Sequence, residues 1–406
     1  MDKIKTKLMI LFLFLFQGVS LQARQPYHAT VIVDGISATV SAPNLVDLKR
    51  DLRSGSLEAL IPVYTPTSPA AIDINLRGID ILGSFAANST TFVIDIPQTG
   101  TTTSFTGSTR AESLALFKDF IQDGGNKHNL LKAYAKFSPI DPIAGNPNSL
   151  MAQMAQADYL MGLLSPLSGC DCSWSAQPIL HQFQTGANTT RAFSKGFETT
   201  AVTTPLRYSY SPDRHWALII DAPFTYFRNG GASSVFGSLG FGLRLPITNE
   251  WSLTSIIRAG SGGSVDLCTA GTFISTGLTS VYEYKLCDYV LALTNYAGYI
   301  TSTNLWLTGI NFNYHLHNYI FKNGLSITSC GGLTICDRPV NVSLSFVDSY
   351  FAKDRLFIRH YDEFTATLIT NYVLPWLDYD CFTIGFSYQF GEKHYKGYCV
   401  NMAYQF

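Results

Sequence analysis

Arg207, Asp221, Arg244, Arg258 and Glu283 fall at positions where a chain of alternating strands would turn them away from its apolar side. Successive side chains of a strand point to opposite faces, so parity places all of them with the small and polar neighbours. Rings of charged side chains select solutes in pores. The same residues, paired with one another, would instead fill the inside of a narrow barrel. Their mixed signs predict weak ion selectivity. Other constellations offer less chemistry. Asp213 and His215 lie in a turn, His315 and His317 share a strand face with Asn313, and His360 is close to Asp362 and Glu363. None comes with the nucleophile and oriented base that catalysis needs. Gly260-Ser261-Gly262-Gly263 lacks the lysine and the strand-to-helix setting of a phosphate loop. No catalytic, cofactor-binding or metal-ligating set is expected, and the chain reads as a non-enzyme.

The eight cysteines suit an exported protein that forms disulfides. Cys330 and Cys336 share one connection and could close a small loop, and Cys170 and Cys172 lie beside Trp174. With a last hairpin turn at residues 391–396, Cys399 falls opposite about Tyr388, well apart from Cys381, so a Cys381–Cys399 bridge is not expected. A zinc site would need a second close cysteine pair or a matching histidine spacing, and the sequence has neither.

The elements that must position these residues are amphipathic strands. Tyr398, Val400, Met402, Tyr404 and Phe406 alternate with Gly397, Cys399, Asn401, Ala403 and Gln405. Phe382, Ile384, Phe386, Tyr388 and Phe390 repeat the division, as do Val340, Val342, Leu344 and Phe346, and Ile310, Phe312, Tyr314 and Leu316. At the other end, Lys3, Lys5 and Lys7 precede an apolar run from Leu8 to Phe16 and then Ala23, the layout of a cleaved signal peptide over residues 1–23. That run is too short for a membrane-spanning helix, which takes about 20 apolar residues. No other stretch reaches that length.

Together the export signal, the amphipathic strands and the terminal aromatic resemble a Gram-negative outer-membrane β-barrel over roughly residues 200–406. The resemblance implies that Tyr398, Val400, Met402, Tyr404 and Phe406 are read by the barrel-insertion machinery, and that outer-membrane lipid is a partner. It names no subfamily. Twelve strand candidates are centred on 206–210, 216–227, 235–245, 251–259, 273–284, 289–300, 305–316, 319–327, 340–350, 356–368, 382–390 and 397–406. Ten or fourteen strands remain open, as does an extra strand near 181–197. Trp216, Trp251, Trp306 and Trp376 suit interfacial girdles. Counted back from a periplasmic Phe406, tight turns such as 248–250 fall outside the cell and the longer connections 260–271, 328–338 and 370–380 inside, the reverse of the usual barrel.

Residues 24–165 read as a smaller α+β unit. Short strands lie at 29–33, 36–40, 72–76, 79–82 and 92–96, within a β-rich part, 24–107, and a Thr-rich segment at 99–109 parts them from helices over 109–164. Thr109 with Glu112 has capping-box spacing, and Gly124-Gly125 ends that helix. A second helix carries Leu130, Leu131, Tyr134 and Phe137. Asn148 opens a third, with Leu150, Met151, Met154, Met161 and Leu164 on its apolar side. Residues 166–199 read as a linker or an extra strand.

The fold class is therefore mainly β: an antiparallel transmembrane barrel of about 12 strands behind an α+β N-terminal unit. With 46% apolar residues, 14% charged residues and a net charge of −1, the chain has no footprint of a nucleic-acid binder or a disordered chain. Three functions in the membrane fit: a porin-like channel for small solutes; an autotransporter-like barrel that exports or displays residues 24–165, with a helix near 149–164 in its lumen; and a surface anchor or adhesin that meets a host surface. A soluble secreted β-sandwich would show the same alternation, because it buries its aromatic face against a second sheet.

Overall fold

The computed structural model describes residues 24–44, 46–48, 59–122, 124–163, 180–212, 216–307, 310–330, 333–335, 338–370 and 381–405. The signal segment, Asp213 and His215, Cys170, Cys172 and Cys336, Leu164, Trp376 and Phe406 lie outside them.

The N-terminal part opens with an antiparallel sheet of strands β1 (Tyr27–Val33), β2 (Ile36–Ala42), β3 (Ala70–Leu76), β4 (Ile79–Phe85), β5 (Thr91–Ile96) and β6 (Thr101–Thr106), in the order β2-β1-β3-β4-β5-β6. Alternation makes one face apolar: Ala29, Val31, Ile72, Ile81, Phe92 and Ile94 are buried. Helices α1 (Arg110–Gln122) and α2 (Gly124–Phe137) follow, and Phe117 of α1 packs edge-on against Phe92. The N-terminal cap forms as its spacing predicts. Thr109 Oγ1 accepts the Glu112 N–H at 3.2 Å, and the Glu112 carboxylate accepts the Ser108 N–H and hydroxyl at 2.6 Å. Two local expectations fail. The Thr-rich segment is not a spacer, since its β-branched residues make strand β6. Gly124-Gly125 begins α2 instead of closing α1.

Twelve wall strands close into a barrel. They are β7 (His181–Ser194); β8 (Phe197–Thr204) continued by β9 (Leu206–Tyr210); β10 (Ala217–Asp221) continued by β11 (Phe224–Asn229); β12 (Ala232–Pro246); β13 (Trp251–Ser264); β14 (Thr269–Leu286); and β15 (Tyr289–Thr303). After the hairpin of β16 (Leu305–Leu307) and β17 (Ile310–Phe312) come β18 (His317–Ser329), β20 (Arg338–Lys353) with the short β19 (Leu333–Ile335) at its side, β21 (His360–Thr370), β22 (Cys381–Gly391) and β23 (Tyr395–Gln405). The two composite strands are interrupted at Pro205 and Pro223, which lack the N–H that a ladder needs. Strand β7 pairs with β8 and β9 on one side and with β23 on the other, which leaves the cylinder no free edge.

The count of twelve agrees with the sequence, but two of its members differ. Residues 305–316 are not a wall strand: β16 and β17 form a hairpin at the rim, and Phe312, Tyr314 and Leu316 are buried against protein. Residues 181–194 are a wall strand instead, so the wall begins before residue 200. The exchange reverses the assigned end of every turn upstream of 305. His181 and Gln405 lie at one end with the turns 247–250 and 287–288 and with Cys330, whose N–H donates to Asp288 O at 2.7 Å. The turns at 195–196, 230–231, 265–268 and 354–359 and the hairpin strands β16 and β17 lie at the other.

That other end is capped by the N-terminal part. The Arg24 N–H donates to Gly196 O at 3.1 Å, the Phe357 N–H to Ala135 O and the Ile358 N–H to Gly145 O, both at 2.8 Å. Lys132 pairs with Asp354 at 3.1 Å. Beneath the cap, buried Arg77 lies with its guanidinium 3.4 Å from the Tyr134 ring centre and donates to Asp141 at 3.3 Å. Asp141 also accepts the Tyr314 hydroxyl at 3.0 Å, which ties cap and barrel hairpin together.

The outer wall is apolar and exposed. Ile257 is 60% exposed, Phe364 57% and Leu325 57%, while their strand neighbours Ile256, Arg258 and Gly324 turn inward. Such a belt, with large exposed apolar side chains on every wall strand except β7, is far larger than the patches soluble monomers show. It suits acyl chains, in which only a sheet without edges satisfies its own backbone. The closed barrel rules out the sandwich, and among the described residues no second sheet covers this face. The protein is a transmembrane β-barrel of the outer-membrane type.

Candidate functional site

The interior of the barrel is occupied by helix α3 (Leu150–Leu163), LMAQMAQADYLMGL. Apart from Gln153, Gln156 and Asp158 its residues are apolar or small, the mark of a helix surrounded by protein, and ten of the fourteen are buried. At about 1.5 Å per residue it is about 21 Å long, close to the ~25 Å apolar band of such barrels. It enters from the capped end, where Asn148 donates to Thr199 at 3.3 Å, and runs toward the end that holds His181.

Wall glycines make room for it. A Cβ on Gly242 would meet Met161, one on Gly260 would meet Met154, and one on Gly324 would collide with the Tyr159 hydroxyl; on the helix side, Gly162 abuts Thr279. Larger residues at these positions would push the helix off the wall.

Asp158 is the one charged residue of α3 and is fully buried. Arg258 Nε donates to its Oδ1 at 2.6 Å, and Ser275 and Tyr296 donate to Oδ2 at 3.0 and 3.2 Å. Arg258 Nη2 donates to Asp221 at 2.7 Å and Nη1 to Ser238 at 3.0 Å. Asp221 in turn accepts from Arg207 Nε at 2.9 Å, and Arg207 Nη1 reaches Leu160 O of the helix at 3.5 Å. The chain Arg207–Asp221–Arg258–Asp158 alternates in sign and sums to zero. Buried charges are costly unless paired and hydrogen-bonded, and here each has both. A second attachment comes from Lys322, whose Nζ donates to Gln156 at 2.7 Å and to Tyr361 at 3.3 Å.

Of the charged residues read from strand parity, Arg207, Asp221 and Arg258 therefore share one ionic chain. Arg244 and Glu283 attract each other elsewhere on the inner face, where Arg244 also donates to Ser252 at 2.8 Å. The partners that sequence reasoning missed are Asp158, Ser275, Tyr296, Gln156 and Lys322. A lone acid in an otherwise apolar helix was the available signal for Asp158. The hydroxyl and amide partners carried none.

The remaining candidates are dispersed. His360 Nε2 lies 2.5 Å from Asp348 on the outer wall, with Asp362 beside it, and its sequence neighbour Glu363 is held by Gln389 at 2.7 Å. His317 hydrogen-bonds Tyr299 and Thr301, and His315 O accepts from Lys132 at 3.5 Å. Tyr398 and Met402 of the terminal motif face outward, 44% and 37% exposed. Cys330 and Cys381 each take part in a disulfide, while Cys268, Cys287 and Cys399 are free thiols. Cys399 stands opposite Ser387, one residue from the expected Tyr388, and Cys381 opposite Gln405, which agrees with the absence of a bridge between them.

No known protein family and no curated protein matches the sequence. Similar solved structures include the β domain of the Bordetella autotransporter Brka, 10% identical at a TM-score of 0.42, over 56% of this chain and 99% of that one. The translocator domain of the autotransporter NalP from Neisseria meningitidis is 11% identical at 0.41, over 63% and 97%. An outer-membrane channel from Pseudomonas putida F1 is 13% identical at 0.38, over 57% and 97%. At such scores the likeness decides nothing about function.

Proposed function

We propose that this barrel is a closed outer-membrane anchor that displays its N-terminal sheet and helices at the membrane surface, in the manner of an autotransporter-like barrel. The observation that carries the reading is helix α3, held along the lumen by Asp158. An open channel needs a water-filled path, and here the wall charges that could line one are spent on the helix and on each other. The order of the chain supports display as well. The N-terminal unit covers one mouth, α3 threads the lumen, and the wall starts at His181 at the opposite mouth, beside the last strand. With the barrel termini facing the periplasm, the cap stands outside the cell.

Protease treatment of intact cells tests the sidedness. Cleavage within residues 24–137 without breaking the envelope is the expected result; cleavage only after the envelope is opened would place the cap in the periplasm and refute display. Planar-bilayer recordings test closure. The full chain should give no stable open-channel steps, and steady steps of uniform size would restore the channel reading.

A further inference from the structure

Among the described residues, the outer wall carries a shaped feature that neither the plug nor the cap explains. A shallow, open groove of about 660 Å³ runs obliquely over strands β10, β12, β13, β14, β15 and β18. Register explains its shape. Leu243, Ser255, Leu278, Ala297 and Phe321 follow one another across successive strands, and Ser255 and Ala297 interrupt the row with small side chains. The next row holds Phe241, Ile257, Thr276, Tyr299 and Tyr319 in the same way. Large residues therefore flank a floor of small ones on a face turned to lipid.

The groove's upper end, toward the cap, is polar. Tyr299 and Tyr319 stand with ring centres 5.3 Å apart. The Tyr299 hydroxyl is 3.1 Å from His317 Nδ1, and Lys353 Nζ lies 5.9 Å from the Tyr319 ring centre. Tyrosines whose rings lie in lipid and whose hydroxyls reach water mark the interface, and a lysine at that level attracts anionic headgroups.

The geometry points to a seat for one phosphate-bearing membrane lipid, its acyl chain in the groove over Ser255 and Ala297 and its headgroup beside Lys353 and His317. This rests on the barrel's place in a membrane but not on which side the cap faces, so it can fail while display stands, and the reverse. The test is native mass spectrometry of the full chain released from its membrane in mild detergent, with the retained lipid extracted and identified. Wild type should hold one phosphate-bearing lipid per barrel. Ala297→Trp, which fills the floor, should lose it, whereas Leu344→Trp elsewhere on the outer wall should keep it; heat-dependent gel mobility verifies that both variants fold. Lys353→Gln should lower retention about five-fold, the equivalent of the ~1 kcal/mol that a surface lysine contributes to holding an anionic headgroup. Equal retention by wild type and Ala297→Trp would overturn the proposal, as would equal loss in Leu344→Trp. Displacement of the lipid by inorganic phosphate alone would also overturn it, since it would leave only a site for a free anion.

Discussion

Asp158→Asn is the most informative single change, because it removes one charge and almost no volume. In the native lumen the carboxylate takes a 2.6 Å bond from Arg258 and accepts from Ser275 and Tyr296. Without it the ionic chain reduces to Arg207, Asp221 and Arg258, a net charge of +1 in a site where Arg258 is 2% exposed. Removing one partner of a buried pair costs about 3–5 kcal/mol. Arg258 keeps its 2.7 Å bond to Asp221, so the lower figure applies. About 3 kcal/mol is a factor of about 10² in the equilibrium between seated and unseated helix, at 1.4 kcal/mol per decade. Urea titration of the barrel in detergent, read as a fall in midpoint at constant slope, measures the loss, and bilayer recording should show brief openings absent from wild type. Adding Arg258→Met removes the stranded cation and leaves Arg207 with Asp221, so part of the loss should return. An Asp158→Asn variant within about 0.5 kcal/mol of wild type and equally silent would refute the claim that this ionic chain seats the helix.

Gly324→Val puts side-chain atoms where the Tyr159 hydroxyl lies and should cost about 1–3 kcal/mol of overpacking; a urea midpoint unchanged from wild type would mean that the helix does not press on the wall there. Burial pushes the Asp141 carboxyl up from 3.8 to about 6, against the pull of Arg77. The folded protein thus holds that proton more tightly than the unfolded chain, a contribution complete below about pH 4 and lost as pH rises through about 6. Relative to Asp141→Asn, wild-type stability should fall across that window, and parallel pH curves for the two would contradict the assignment. Thr109→Ala removes the cap of α1 and should cost about 1 kcal/mol, seen as faster amide exchange in residues 110–122 with barrel exchange unchanged. Slower or equal exchange in α1 would show that the cap bond contributes nothing.

What the sequence determined is the two-faced character of the wall strands. Tyr398, Phe386, Leu344 and their alternate neighbours show period-two apolarity in strand after strand, and that period alone separates a wall face from an inner face. The parity that put Arg207, Asp221 and Arg258 inside came from the same rule, while helical spacing separately marked the capping box at Thr109 and Glu112 and the apolar residues of α3. Alternation cannot say, however, what the apolar side meets. Residues 305–316 alternate as well as any wall strand, yet Phe312, Tyr314 and Leu316 pack under the cap. Conversely, β7 is rich in Thr, Gln and Ala, too weakly amphipathic to stand out until β23 and β8 pair with it. Tertiary structure alone decided that the lumen is filled. Closing the wall brings Arg258 within 2.6 Å of Asp158, a hundred positions away in the chain, and a bond over that span follows from the register of neighbouring strands, which no local pattern encodes.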